Sequence, residues 1–256
     1  MSEKILETLN EEQLAAVSHV DGPSLIIAGP GSGKTKALTH KITYIIQSKQ
    51  LLPSNILAVT FTNKAATEMK ERVYKLILEY GLGHDENIIP SWIGTFHSIS
   101  SKILRKEAMH IGISNNFVIY DSDDSGKIIK ETLEDLNISI KELKPSSILS
   151  TIAKLKGDMI SPEKYVPESN SFYHQQVSKI YPIYEQKLKL ANAMDFSDLL
   201  VKLVYLFENN QEVLEKYQEL FKYILIDEYQ DTNTVQYKIV RMLSQKHRNL
   251  TAVGDI

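Results

Sequence analysis

Residues Ala28–Thr35 read AGPGSGKT, and their types and spacing suit the holding of phosphate. Glycines let backbone N–H groups turn inward around phosphate oxygens with no Cβ in the way. In such a loop Lys34 reaches the terminal phosphates and the Thr35 hydroxyl ligates Mg²⁺. Gly31, Ser32, Gly33, Lys34 and Thr35 are therefore candidate ATP-binding residues. The general pattern G-x-x-x-x-G-K-[ST] has Ala28 at its first position here, so the match is incomplete. A second string, YILIDEYQD (Tyr223–Asp231), carries two adjacent carboxylates at the end of an apolar run. Asp227 suits Mg²⁺ ligation through water, and Glu228 suits orienting and deprotonating an attacking water. Alone, the first string could be an accidental glycine turn and the second a solvated acidic turn. Together they describe a nucleoside-triphosphate site with Lys34 and Glu228 as its catalytic candidates.

Such a site needs a sheet to position it. Five apolar runs read as buried strands: Ser24–Ala28, Ile56–Phe61, Trp92–Thr95, Tyr223–Asp227 and Leu250–Asp255. Helix-period sequence separates the first three, which predicts a doubly wound α/β fold with a parallel sheet. The alternation stops between about Ser100 and Ala193, where three helical stretches are divided by Pro, Asn and Ser breaks. The expected organisation is an α/β domain of residues 1–99 and 194–256 with an inserted helical subdomain of residues 100–193.

Bulk properties narrow the class. The 256 residues contain no cysteine, which excludes a disulfide framework and thiolate metal sites. No apolar run approaches the ~18 residues of a membrane span, and the polar N-terminus does not read as a signal peptide. A cytoplasmic protein without a membrane partner is expected. Net charge is −3 and the pI about 6.2, so any grip on nucleic acid must come from a local stripe and stacking groups.

The strings LNEEQ (9–13), AGPGSGKT (28–35), TFTNKAA (60–66), GTFHS (94–98), DFSDLL (195–200), DEYQDTN (227–233) and AVGD (252–255) occur in this order. Together they resemble the first half of superfamily 1 DNA helicases of the UvrD/PcrA/Rep family, over essentially the whole chain. The resemblance implies a RecA-like P-loop NTPase sheet flanked by helices, with an all-helical insertion. It implies ATP and Mg²⁺ as cofactors, with single-stranded DNA and its junctions with duplex as partners. Movement 3′ to 5′ in DNA repair or replication is likewise what the resemblance implies. Gln13 then corresponds to an adenine-reading glutamine, although Asn10 and Gln13 also have the spacing of a helix-capping box. Phe61, Thr62, Asn63, Thr95, Phe96 and His97 correspond to single-stranded-DNA contacts. For both phenylalanines core packing is the competing role, and for His97 a structural one. Gln230, Asp231 and Asp255 correspond to residues coupling the nucleotide to DNA, while Asp231 and Thr232 could instead cap the following helix.

Several features depart from that pattern. Lys36 stands where relatives commonly carry arginine, which keeps the charge and loses the bidentate fork. The chain stops inside a motif, before the residues of a second motor domain, so it reads as a fragment expected to bind ATP–Mg²⁺ weakly and hydrolyse it poorly. DSDDSGKIIKET (121–132) mimics a calcium loop, but Thr132 replaces the bidentate glutamate and a capped helix start is expected. Lys102, Arg105, Lys106, Lys154 and Lys156 could track duplex DNA or be solvated helix faces. A recombination helicase–nuclease motor and a non-motor regulatory P-loop module remain alternative readings.

Overall fold

A computed structural model describes residues 3–82, 88–168 and 170–255. In chain order the elements begin with α1 (Glu3–Leu6), α2 (Glu11–Ser18), β1 (Ser24–Ile27), α3 (Lys34–Lys49), β2 (Ile56–Thr60), α4 (Asn63–Glu79), β3 (Ile93–Thr95) and α5 (Phe96–Glu107). They continue with β4 (Val118–Tyr120), α6 (Ser122–Asp135), α7 (Pro145–Gly157), α8 (Phe172–Leu190), β5 (Ala193–Asp195) and α9 (Phe196–Asn209). The last are α10 (Gln211–Leu220), β6 (Tyr223–Ile226), α11 (Thr234–Ser244) and β7 (Leu250–Gly254). Two compact units result: Met1–Ile99 with Gln211–Thr232 and Val240–Ile256, and Ser100–Asn210 with Asn233–Ile239.

In the first unit the five expected strands form one parallel sheet in the order β1-β7-β6-β2-β3. Every residue of β2 is buried, as a strand covered on both faces requires. β1 ends the described sheet and alternates instead, leaving Leu25 and Ile27 exposed. The helical period of α3 and α4 places Leu38, Ile42 and Ile45 with Met69, Val73 and Ile77 against Ile56, Ala58, Leu225 and Val253. Trp92, entering β3, meets the edge of Phe221 at 5.0 Å and of Tyr217 at 6.1 Å between ring centroids. Such aromatic pairs add about 0.5–1.5 kcal/mol beyond area burial. Among the described residues no helix is long and apolar enough to cross a membrane.

The second unit is chiefly helical, with Ile129, Leu133, Ile148, Ile152, Val177 and Ile180 at its core. It is not all-helical. β4 and β5 pair in parallel from Val118 opposite Ala193 to Tyr120 opposite Asp195. Three-residue strands so far apart in sequence carry no alternation to read. The chain rejoins the first unit at Gln211 rather than at residue 194, because α9 packs against α7 and β5. The Asp121 carboxylate accepts the Asp123 and Asp124 N–H groups, both at 2.9 Å, so the calcium-like string is a helix cap.

Two of the basic residues weighed as DNA contacts serve this unit internally. Arg105 lies 3.8 Å over the Phe117 ring and donates to the Asn115 carbonyl at 3.1 Å. Lys156 is 3% exposed, with its ammonium 2.6 Å from Glu185, 2.7 Å from Asp195 and 2.9 Å from Asp198. The Glu185 contact is close, but Oε1 lies outside hydrogen-bonding geometry. The Tyr184 hydroxyl donates to Asp195 at 2.9 Å. Burial opposes the Lys156 charge, but Asp198, Asp195 and Glu185 outweigh it and hold the ammonium well above its usual range. Burial and then Asp198 push the Glu185 carboxyl up. Removing the cation leaves three carboxylates facing one another. Lys156→Met is therefore expected to destabilise this unit by about 3–5 kcal/mol in urea unfolding at pH 7. The deficit shrinks as pH falls, since the raised carboxyl of Glu185 takes up a proton.

Candidate nucleotide site and sheet-edge loops

The segment after β1 turns at once into α3. Gly33 takes the N-cap position of α3 with φ 86° and offers no side-chain cap, so the first N–H groups of the helix face the loop. That arrangement, with the positive end of the helix dipole, is an anion cradle. The Lys34 ammonium donates to the Ala28 carbonyl at 2.9 Å and the Gly29 carbonyl at 3.4 Å. It also makes a close ion pair with the Asp255 carboxylate. Thr35 follows in the first helical turn, half-buried. The neighbouring Lys36 ammonium donates to the Thr8 carbonyl.

Gln13 completes the capping box, one of the two roles weighed above. Asn10 accepts its N–H at 2.8 Å and donates a backbone N–H to its Oε1 at 3.4 Å, completing the capping box. The side-chain Nε2 of Gln13 then donates to the Ser32 carbonyl at 3.1 Å. A Cβ on Gly33 would lie 2.4 Å from that Nε2, so φ favours glycine there and any larger residue would also displace the Gln13 amide from the Ser32 carbonyl. A cleft of about 560 Å³ opens between these walls, lined by Gln13, Ala16 and His19 and by Ser24–Ala28 and Ser32–Lys34.

The acidic pair follows β6. Asp227 is 5% exposed, and its carboxylate accepts the Glu228 N–H at 3.1 Å. Burial, and then the charge of Glu228, push the Asp227 carboxyl up, with Lys34 opposing them. Glu228 itself adopts φ 52°, a left-handed conformation that costs a non-glycine residue about 1–2 kcal/mol. Gln230 donates to the Glu228 carboxylate at 2.6 Å and accepts the Asp255 N–H at 3.1 Å. A continuous line of polar contacts thus runs from Lys34 through Asp255 and Gln230 to Glu228. A Cβ on Gly254 would lie 2.8 Å from the Gln230 Oε1, so this line depends on glycine at 254. Sequence reasoning grouped Gln230 and Asp255 as coupling residues but missed that Asp255 pairs with Lys34. The signal was the string AVGD ending a strand, without the knowledge that this strand neighbours β1. Asp231 is exposed and closes a 3₁₀ turn. Neither Asp231 nor Thr232 caps α11, since Asn233 accepts the Gln236 N–H at 3.0 Å and does so instead.

The loops after β2 and β3 divide the six DNA candidates. Phe61 and His97 are half-buried, and Thr62 and Asn63 are exposed. Phe96 is 4% exposed and meets Phe61 edge-to-face at 5.8 Å, while Thr95 is 8% exposed. The core role weighed for phenylalanine therefore applies to Phe96. The Thr62 hydroxyl caps α4 by accepting the Ala65 N–H at 3.1 Å, and that of Thr95 accepts the Ser98 N–H at 3.2 Å. Burial lowers the His97 pKa, which keeps the imidazole neutral at pH 7.

These donors fit a magnesium nucleotide. Backbone N–H groups and one ammonium suit phosphate, and a hydroxyl and a buried carboxylate supply the oxygen ligands that Mg²⁺ takes. The Gly33–Gln13 contact yields a test. Gly33→Ala should lower stability by more than the ~1–2 kcal/mol of a left-handed alanine, measured by denaturant unfolding. In a Gln13→Ala background the excess should vanish, leaving the backbone cost alone.

The family described as the UvrD/REP helicase N-terminal domain matches residues 9–256. The ATP-dependent DNA helicase PcrA of Staphylococcus epidermidis (strain ATCC 35984) is 45% identical over 251 residues, covering 98% of this chain and 34% of that protein. The helicase of the same name from Staphylococcus aureus (strain Mu50) is also 45% identical, over 98% of this chain and 33% of its own length. The chain thus spans about a third of the length of these curated relatives. With that coverage and the motif-bearing sheet edge, the chain belongs to the UvrD/REP helicase N-terminal domain family.

Proposed function

We propose that this chain is the ATP-binding and single-stranded-DNA-binding part of a cytoplasmic ATP-dependent DNA helicase that moves 3′ to 5′ in repair or replication. The observation that carries this reading is the strand order. All five strands are parallel, so the P-loop, Asp255, Asp227–Glu228, Phe61–Asn63 and Thr95–His97 follow one another along a single edge. At about 4.8 Å per strand the outermost two are roughly 19 Å apart. A nucleotide at one end is thus close enough to bias loops at the other through packed strands.

In this reading the N–H groups of Gly31–Gly33 and the Lys34 ammonium hold phosphate, Thr35 and Asp227 hold Mg²⁺, and Gln13 faces adenine. Bound Mg²⁺–ATP supplies the phosphoanhydride whose hydrolysis drives movement. Glu228 orients the attacking water and takes its proton. Phosphate competes with Asp255 for the one Lys34 ammonium, so Gln230 senses occupancy through the Asp255 N–H. Asp231 extends the same segment toward the DNA loops. Phe61 stacks on bases, Thr62, Asn63 and the neutral His97 bond the strand, and Phe96 and Thr95 support them from below. This reading puts a second motor domain in the roughly two thirds of the relatives' length that the chain does not span.

Turnover with and without single-stranded DNA, for this chain and for a version extended through the second motor domain, tests the reading. The short chain should be slow, since a missing arginine finger alone costs ~10³–10⁵. DNA should accelerate the extended protein. Within it, Glu228→Gln should lose ~10²–10⁴ in turnover while keeping ATP binding. Indifference to DNA in both proteins would instead support a non-motor P-loop module. Separately, Phe61→Ala should weaken single-stranded-DNA binding by about 1–3 kcal/mol in fluorescence titration.

A further inference from the structure

Lys41 lies in the middle of α3 and is fully buried. Lysine is almost never fully buried without a partner of opposite charge. Yet no carboxylate among the described residues is within ion-pair distance of this ammonium. It donates instead to the Ala16 carbonyl at 3.0 Å, the His19 carbonyl at 2.7 Å and the Ser24 hydroxyl at 3.2 Å. The first two belong to the C-terminal end of α2, where carbonyls lack helical partners and carry the negative end of the dipole. α2 has only eight residues and no basic residue in its last turn, so it needs such support from outside. The third acceptor opens β1 and is itself 2.9 Å from the Thr251 hydroxyl of β7.

All three acceptor residues line the cleft beside the P-loop, on its two facing walls. α2 also carries Gln13, whose amide rests on the Ser32 carbonyl. Resting on the nucleotide reading above, we infer that Lys41 is a positioning residue that clamps α2 to β1 from behind and so shapes the base-binding half of the cleft.

The clamp is matched to the charged form. An ammonium offers three donors to three acceptors, whereas a neutral amine offers two and keeps Ser24 only by accepting its hydroxyl hydrogen, which Ser24 then cannot give to Thr251. Burial lowers the Lys41 pKa to about 8. The titratable groups on the surrounding elements are His19 and Asp21 on the segment after α2, Glu11 and Glu12 at the far end of α2, and Lys34, Lys36, His40, Tyr44 and Lys49 on α3 itself, with Asp21 paired to Lys49 and Lys34 to Asp255. Glu79 lies on α4, and β1 and β7 present only the Ser24 and Thr251 hydroxyls. None of these makes an ion pair with Lys41. As pH rises through 8 the clamp loses a donor, and base recognition weakens. Global stability moves the opposite way. The unfolded chain keeps that proton up to about pH 10.4, so folding is favoured as pH rises through this window.

The test compares binding of a fluorescent ATP analogue with binding of inorganic triphosphate, which occupies the phosphate half alone. For the unmodified chain, ATP affinity should fall several-fold between pH 7.5 and 9, with triphosphate affinity following a flatter curve. Lys41→Met should bind ATP roughly tenfold more weakly, with no pH step, and triphosphate as before. Equal losses for ATP and triphosphate, or unchanged ATP affinity, would overturn the inference. If Lys41→Met does not fold, the two pH curves of the unmodified chain decide it. An unmodified chain that binds neither probe would instead refute the nucleotide reading itself.

Discussion

Parallel pairing is the constraint on which the rest of the first unit depends. Five strands hydrogen-bonded in one direction deliver their C-terminal ends to one edge, and the P-loop, Asp255, the acidic pair and the Phe61–Asn63 and Thr95–His97 segments all follow from that edge. Since β7 lies between β1 and β6, the Asp255 carboxylate falls between the P-loop lysine and the acidic pair. In this position it pairs directly with Lys34, while its N–H reaches Gln230. A line of polar contacts thus joins the P-loop lysine to the acidic pair.

Two buried lysines and one largely buried lysine are satisfied in three ways, and the difference separates their roles. Lys34, with 11% of its side chain exposed, has one carboxylate and two carbonyls, a set that an anion can displace. Lys156 has three carboxylates, so its charge is secured and the cluster is structural. Lys41 has carbonyls and a hydroxyl alone, and its charge is the one that burial can remove near neutral pH. Desolvation of a cation costs several kcal/mol, so each is retained only because the packing around it is closely matched.

Much of this was legible in the residues themselves. Strand positions showed because Ile56–Val59 and Tyr223–Ile226 are continuously apolar, as strands covered on both faces must be. The two-stranded pairing of Val118–Tyr120 with Ala193–Asp195 was not, since three residues leave no period and the partners are remote. Burial was equally hidden. Nothing local distinguishes Phe96 from Phe61, or Lys156 from a solvated lysine, because burial is a property of what packs against a side chain.

The sequence by itself determined the five strands of the main sheet and most helices, the phosphate loop and the acidic pair. These depend on glycine conformation, hydrophobic period and near neighbours along the chain. Only the tertiary structure decided that Asp255 meets Lys34, that Gln230 bridges to Glu228 and that Lys41 holds α2 against β1. Each joins segments brought together solely by strand order and helix packing, and a free energy that depends on spatial neighbours leaves no mark in local composition.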